Sequence, residues 1–567
     1  VPISGTTNQY LLKTSTQANP AVAWYNEANG NYIDRWGSTA ANSQVAWYFI
    51  APAFSGTSDF SNAADWTNGV VPADNMAVAI NSNATIATDK AFNGLHIATG
   101  KTLTVNAGKG LTVHNSITGS GTLLLRSDAA NGTATVTGNV TGTATVEQHL
   151  PAATERTWWY LASPVTGAAW TVFGSNQVGN YSESTRSYSA PFAAAETLEA
   201  GRGYVVKMNA TEAAVYQFAN KTLNNGNISV PLTRSVTGNL DNKRGFNLAG
   251  NPYPSYLNWG MAYDAATNVR STIWYRTQGT SAMEFHTYNA ALGVGVPASA
   301  SGYIPPMQAF WVKVDTDPIE PETVSNGTLN FTNAMRGHAN SSENRLKAPA
   351  TGTLPLLRLE LSNGTASDET VITIHDSASD NFDRYDSEKM SNTGAAEVFT
   401  LTGTQELVIN ALAKSEGSKS VRLGIRPAGA GNFTLKATEL KNMDDIALIL
   451  HDHQLNTRTE LKLNESYSFI SEATATNDRF SVELRAPGAT TSVNDVPDQL
   501  KVGVSVAGRL TIEGPVTAGS IIGVYNTVGQ QVFSQAATGS YTELDRALHP
   551  GVYIVKINNT SIKVTVK

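Results

Sequence analysis

Between residues 95 and 146 the chain repeats one small pattern. LHI (95–97), LTV (103–105) and LTV (111–113) are apolar–polar–apolar triplets, set eight residues apart and separated by ATGKT and NAGKG. ATV at 134–136 and ATV at 144–146 repeat the pattern at a spacing of ten. Alternation with period two puts every second side chain on one face of a strand, and Gly-containing turns end each run. Short strands at regular intervals predict a β-roll or small β-helix over 61–150, in which neighbouring rungs bury one another's apolar faces. An ordinary meander would show the same alternation.

The same grammar continues to the end. RTWWYLASPV (156–165), GRGYVVKM (201–208), RGFNLAGNPYPSYLNW (244–259) and SGYIPPMQAFWVKV (301–314) read as the aromatic strands and Pro-Tyr-Pro corners of a β-sandwich over 151–315. Polar, Pro- and Gly-punctuated sequence then predicts a linker over 316–352. LPLLRLEL (354–361), ETVITIHD (369–376), SVRLGIRP (420–427), DDIALIL (444–450) and DRFSVELRA (478–486) build a second sandwich over 353–487. A second linker follows at 488–499, and a small terminal β-domain at 500–567. Its last two runs, VYIVKI (552–557) and SIKVTVK (561–567), flank Asn558, Asn559 and Thr560 as a hairpin would. Residues 1–60 form an aromatic-rich β-region of their own. Helical periodicity is nearly missing; the best stretch is FAAAETLEAG (192–201), about two turns closed by Gly. The fold class is therefore all-β, in tandem modules.

Composition narrows the function classes. At 567 residues the chain is long enough for about three to five domains. Lys and Arg number 39 against 46 Asp and Glu, a net −7, so no basic footprint for nucleic acid appears. Charged residues are only 15% of the chain, which leaves solubility to Thr, Asn, Ser and Gly, a habit of extracellular β-proteins. There is no Cys, which removes disulfides and thiolate chemistry and leans towards a bacterial rather than a eukaryotic secreted protein. No apolar run approaches the length of a membrane-spanning helix. The chain opens at Val1 without Met, as after removal of a signal peptide, though any trimmed N-terminus would look the same.

Candidate chemistry is sparse. ATGKT (98–102) ends like a phosphate loop, but Leu95 stands where that motif needs Gly. LGVGVPA (292–298) imitates a dinucleotide fingerprint without its βαβ setting. His451 and His453 would share one face of a strand and could chelate a metal, but no third ligand is evident, so a solvated strand end is the better reading and no metal site is assigned. Asp376, Asp380, Asp383, Asp386 and Glu388 could offer oxygens to Ca²⁺; the spacing is not that of an EF-hand, and a surface loop fits better. No cofactor is otherwise implied, and no nucleophile elbow or assignable carboxylate pair appears. Trp24, Trp36, Trp47 and Trp66 crowd the first 66 residues and could form a glycan-stacking platform; the alternative is that they fill a core.

The terminal module carries a resemblance. VYNTVGQQV (524–532), LDRALHPGVYIVKI (544–557) and the closing KVTVK resemble the type A C-terminal sorting domain of Bacteroidota type IX secretion cargo. The matching positions are Tyr525, Asn526 and Gly529, then Gly551 and Tyr553, then Lys567. The resemblance implies a small Ig-like sandwich recognised by the type IX translocon and sorting machinery, export to the outer cell surface or beyond, and clipping or attachment to surface polysaccharide. GFNLAGNPYPSYLNW, FDRYDSEKM and NDRFSVEL also look like Bacteroidota surface proteins of unassigned function, and Asp376-Ser377-Ala378 resembles their O-glycosylation motif at Ser377. The expected function is a structural or adhesive surface protein, self-associating into a fibre or array; a carbohydrate-binding protein is the alternative, and a glycan-processing enzyme the least favoured reading.

Overall fold

The computed structural model describes residues 11–12, 21–22 and 52–566, apart from 57–59, 68, 75, 141, 152–157, 194–195, 209–212, 237–242, 279–282, 315–325, 339–353, 393, 416, 486–500, 505–508, 514–515, 540 and 558–559. The chain divides into two compact units, Val1–Arg485 and Ala486–Lys567.

The repeating triplets form a three-sided parallel β-solenoid. Leu95–Ile97, Thr102–Val105 and Gly110–Val113 lie on three different sheets, so the eight-residue spacing is the step from one side of a coil to the next. The rung-to-rung step is longer. Ala84 pairs with Leu103 and Leu103 with Leu123, while Lys90 pairs with Leu111 and Val78 with Leu95, all in parallel. The inward residue of each triplet stacks on its counterpart one coil away. Ile86, Val105, Leu125 and Val146 form one such column, and all are fully buried. Gly138 marks a corner: its φ is +93°, and a Cβ there would stand 1.9 Å from the Val113 carbonyl oxygen.

A solenoid needs covered ends. At the first coil Phe54, Phe60, Trp66 and Phe92 pack together with ring centroids 4.7–5.9 Å apart. At the last coil Thr143–Leu150 pairs on one side with Thr122–Leu125 and on the other, antiparallel, with Ala214–Thr222. The apolar core runs through that pairing from Phe54 to Met307 without a break. The boundary expected at 150/151 is therefore not a domain boundary: the solenoid is finished by strands that come from beyond it.

The expected linker at 316–352 is also corrected where it is described. Asn326–Phe331 pairs along its whole length with Ile228–Thr233. Just after it, the buried Arg336 guanidinium donates to the carbonyls of Val136 and Gly138. His338 meets the hydroxyls of Thr112, Thr135 and Thr137 at 2.5–3.1 Å. This segment fastens the solenoid's third side to the following module, a role its polarity concealed. The helix expected at 192–201 does not form among its described residues; Thr197 instead makes a strand bridge to Ala169. The α-helix of the described residues is Trp259–Asp264, where Asn258 accepts from the Met261 N–H as its cap.

Residues 158–313 contribute several small antiparallel sheets. The largest orders Phe246–Gly250, Ala309–Lys313, Thr272–Gln278, Met283–Asn289 and Val294–Val296. Leu356–Arg485 then builds one eleven-stranded sheet that curls over itself. Ser466–Ser471 ends its strand path, yet Phe469 lies 4.8 Å from Phe480 and the Tyr467 hydroxyl donates to Asp452, near the opposite end. That curling makes the sandwich expected here. No helix of the described residues is long and apolar enough to cross a membrane.

The C-terminal unit packs a three-stranded sheet with a four-stranded one around Leu510, Ile512, Ile522, Val524, Leu544 and Val555. The terminal hairpin reading holds: Gly551–Ile557 pairs antiparallel with Thr560–Val566, which is an edge strand.

Candidate functional site: an aromatic shelf

Among the described residues, Trp158 and Tyr188 form an exposed pair of facing aromatic rings. Trp158 begins the strand Trp158–Leu161; its other three residues are buried, Tyr160 on the same face as Trp158. Tyr188 lies on the short hairpin Tyr181–Ser182 and Ser187–Tyr188, which turns through Arg186 at φ +51°. The two rings are near-parallel, 18° apart in plane and 6.4 Å between centroids, and are exposed by 37% and 46% respectively. The Tyr188 hydroxyl points inward to that of Tyr160 at 3.0 Å, and burial there pushes its pKa far up. What Tyr188 offers to solvent is therefore ring rather than hydroxyl.

The shelf stands on a rigid base. Tyr181 sets its ring edge-on to Trp311 at 4.6 Å, and Tyr160 does the same at 5.9 Å. Phe246, Trp274 and Phe285 extend this layer across the five-stranded sheet. The far end of the same sheet face is covered by the second sandwich, where the Trp274 indole donates to the Glu388 carbonyl and Lys313 pairs with the Glu388 carboxylate at 2.8 Å. One end of an aromatic sheet face is thus sealed inside the protein, and the other emerges as the shelf.

Two cations flank it. Lys207, the cross-strand partner of Trp158, holds its ammonium 5.0 Å from the Trp158 ring centroid. Arg276 lies over Phe285 at 5.9 Å and close enough to Tyr188 to favour its phenolate. Among the described residues neither has a carboxylate within ion-pair distance.

Other features are self-satisfied. A cleft of about 520 Å³ lies between Met283–Asn289 and the hairpin of Leu356–Ser362 with Ser367–His375, lined in part by Glu284, Glu360, Asp368, Glu369 and Lys389. Its buried charges pair inward: Lys389 with Asp368 at 2.5 Å, and Glu369 with Arg358 at 2.9 Å. The acidic run fans out instead of converging. Asp376 faces Lys414, Asp380 pairs with Lys419, Asp383 accepts from the Ser379 and Tyr385 N–H groups, and Glu388 holds Lys313. Asp386 is buried, which pushes its pKa up to about 7, although the Ala411 and Asp383 N–H groups both donate to it. The His451 and His453 rings lie 3.9 Å apart, tilted 48° to each other, and His453 meets the Ser481 hydroxyl. No group of three or more His, Asp or Glu gathers among the described residues.

The tryptophans singled out from sequence divide differently. Trp24, Trp36 and Trp47 lie outside the described residues. Trp66 is buried in the solenoid cap with its indole donating to the Phe60 carbonyl at 3.1 Å, so it is no platform: the first coil's open end needs the ring more than solvent does. Ser377 is exposed just past the strand Ser367–His375. Sequence reading passed over Trp158 and Tyr188 because alternation shows which side of a strand a residue takes, not whether another layer covers that side.

In the C-terminal unit the motif residues have local structural roles. The Asn526 side chain accepts from the N–H groups of Val528 and Gln530, and Gly529 takes φ +83°, which closes the hairpin turn. Tyr525 folds its ring over Gly523 and Tyr553 over Gly551, where a Cβ would meet each ring at 2.8 and 3.4 Å. The Tyr553 hydroxyl also donates to the His549 carbonyl. Lys567 lies outside the described residues.

The fold defines this chain as a capped β-solenoid continued by further β-modules. Residues 53–484 match the model of a family described as a domain of unknown function, DUF8693, and the chain belongs to that family. The match covers the solenoid and both modules that follow it and ends one residue before the first compact unit does. No curated protein matches the chain.

Proposed function

We propose that this chain is an exported surface protein that works by adhesion, with the Trp158–Tyr188 shelf as its carbohydrate-contacting surface. The observation that carries the reading is the pair of near-parallel, half-exposed rings held from behind by Tyr160, Tyr181 and Trp311. The C–H groups on one side of a pyranose ring carry partial positive charge and pack well on a negative π face. Rings fixed in advance lose little freedom on binding. Export rests on the resemblance of the terminal sandwich to a type IX sorting domain, and the ordered turn at Asn526 and Gly529 is consistent with it.

Glycan-array binding of the full chain tests the adhesive reading. Trp158→Ala should abolish binding and leave the melting temperature within about 2 °C, whereas Trp66→Ala should lower the melting temperature. Loss of stability without loss of binding in the Trp158 variant would sink the reading. Self-association is a second reading, favoured by the edge strand Ser466–Ser471, which exposes 70% of Ile470. Light scattering of Ile470→Lys against the parent chain tests it: an oligomer that survives the substitution counts against this edge.

A further inference from the structure

Resting on the carbohydrate reading of the shelf, we infer that its ligand is an acidic glycan, with sugar rings on Trp158 and Tyr188 and a ring carboxylate held by Lys207 and Arg276. The chain as a whole carries seven more acidic than basic groups. A pair of cations with no carboxylate within ion-pair distance among the described residues is therefore a local exception to the field a ligand would meet. Elsewhere in the first unit the buried cations have carboxylates or carbonyls: Arg479 has Asp452, Arg358 has Glu369 and Glu439, Lys389 has Asp368, and Arg336 has two backbone carbonyls.

Among the described residues the Arg276 side chain makes no such hydrogen bond or ion pair. Its Nε–H is buried and has no hydrogen-bond partner. A buried polar group is normally satisfied, and leaving one unmade is costly. The guanidinium lies 5.9 Å from the Phe285 ring centroid, and because its Nε is shut off from solvent a ligand carboxylate would have to meet its terminal N–H groups. Lys207 holds its ammonium 5.0 Å from the Trp158 ring centroid and supplies a second point charge. A carboxylate fixed to a sugar ring would meet both demands at once, stacking through its ring and accepting through its oxygens. A neutral glycan would satisfy only the first.

The test is calorimetric titration of the full chain with oligogalacturonate and with the same oligomer fully methyl-esterified, which keeps the ring and removes the charge. The expected result is binding of the acid at least about tenfold tighter than of the ester, a preference that shrinks as salt is raised. Lys207→Ala should narrow the preference, and Arg276→Gln should narrow it further, while both retain the ester's weak binding. Arg276 is partly buried, so if Arg276→Gln melts early, Lys207→Ala alone decides the matter. Equal binding of acid and ester overturns the acidic-glycan inference and leaves the carbohydrate reading standing. Binding of neither overturns both. Competition by a single-stranded oligonucleotide in place of the oligosaccharide, with bases stacking on the same rings, also overturns the inference.

Discussion

The solenoid of residues 53–150 and the curled sheet of residues 356–485 are both made of strands, yet they hold their interiors by different means. The solenoid stacks small aliphatic residues in columns, and its buried acid, Glu147, is matched by Arg126 at 3.1 Å from the outer layer. The curled sheet carries charge inside. Asp452 is fully buried and takes hydrogen bonds from Arg479, Tyr467 and the N–H groups of Gln454 and Leu455. Arg426 bridges Glu397 and Glu406. The reason is closure. A coil places each rung against an identical neighbour and needs no instruction beyond repetition. A single sheet that must fold over itself meets its own far end, and directional charged bonds specify which strands meet there. Such pairs do more for specificity than for net stability, and breaking one is costly because the partner is left buried and alone.

That contrast can be broken or sharpened by measurement. The largest effect should come from Arg479→Ala, which strands the Asp452 carboxylate and should cost about 3–5 kcal/mol in chemical denaturation. A loss below about 1 kcal/mol would mean the closing network is ornamental. Acid should attack the same place. Burial opposes the charged form of Asp452, but Arg479, the Leu455 N–H and Tyr467 outweigh it and hold its carboxyl below the usual range, so this stabilisation is lost as pH falls through that depressed value.

Asp386 should tilt the pH profile the other way. Its folded pKa of about 7 exceeds the ordinary 3.8, so the folded chain keeps a proton that the unfolded chain has already released. Stability should therefore fall as pH rises from about 4 through about 7, by at most ~4 kcal/mol. Thermal melts of Asp386→Asn across that range should show a flatter slope than the parent; an unchanged slope would place the tilt elsewhere. Leu123→Ala in the solenoid should cost about 3 kcal/mol through its cavity, with no dependence on pH or salt. Marked salt dependence there would erase the distinction between the two interiors. The smallest effect belongs to the C-terminal unit: Asn526→Ala removes two turn hydrogen bonds and should lower that unit's stability by about 1 kcal/mol, read from hydrogen exchange on Ile521–Asn526.

Alternation alone determined a good deal of this protein. It was enough to establish an all-β chain, to mark LHI, LTV and LTV as short strands, to find the terminal hairpin and to set the last module apart. Those features are local: each depends on which of two faces a residue takes and on the turn residues that follow. Tertiary structure decided the rest. It turned an eight-residue spacing into three sides of a coil, placed Trp66 in a cap, and drew Arg336 and His338 out of an expected linker onto the solenoid. It also spread the acidic run from Asp376 to Glu388 among separate partners. The shelf was decided in the same way: Trp158 and Tyr160 share one face of their strand, and only the covering layer of Trp311 and Phe285 buries the second while the first stays exposed beside Tyr188. Burial on a face is a property of what comes to cover it, and the covering chain lies tens to hundreds of residues away.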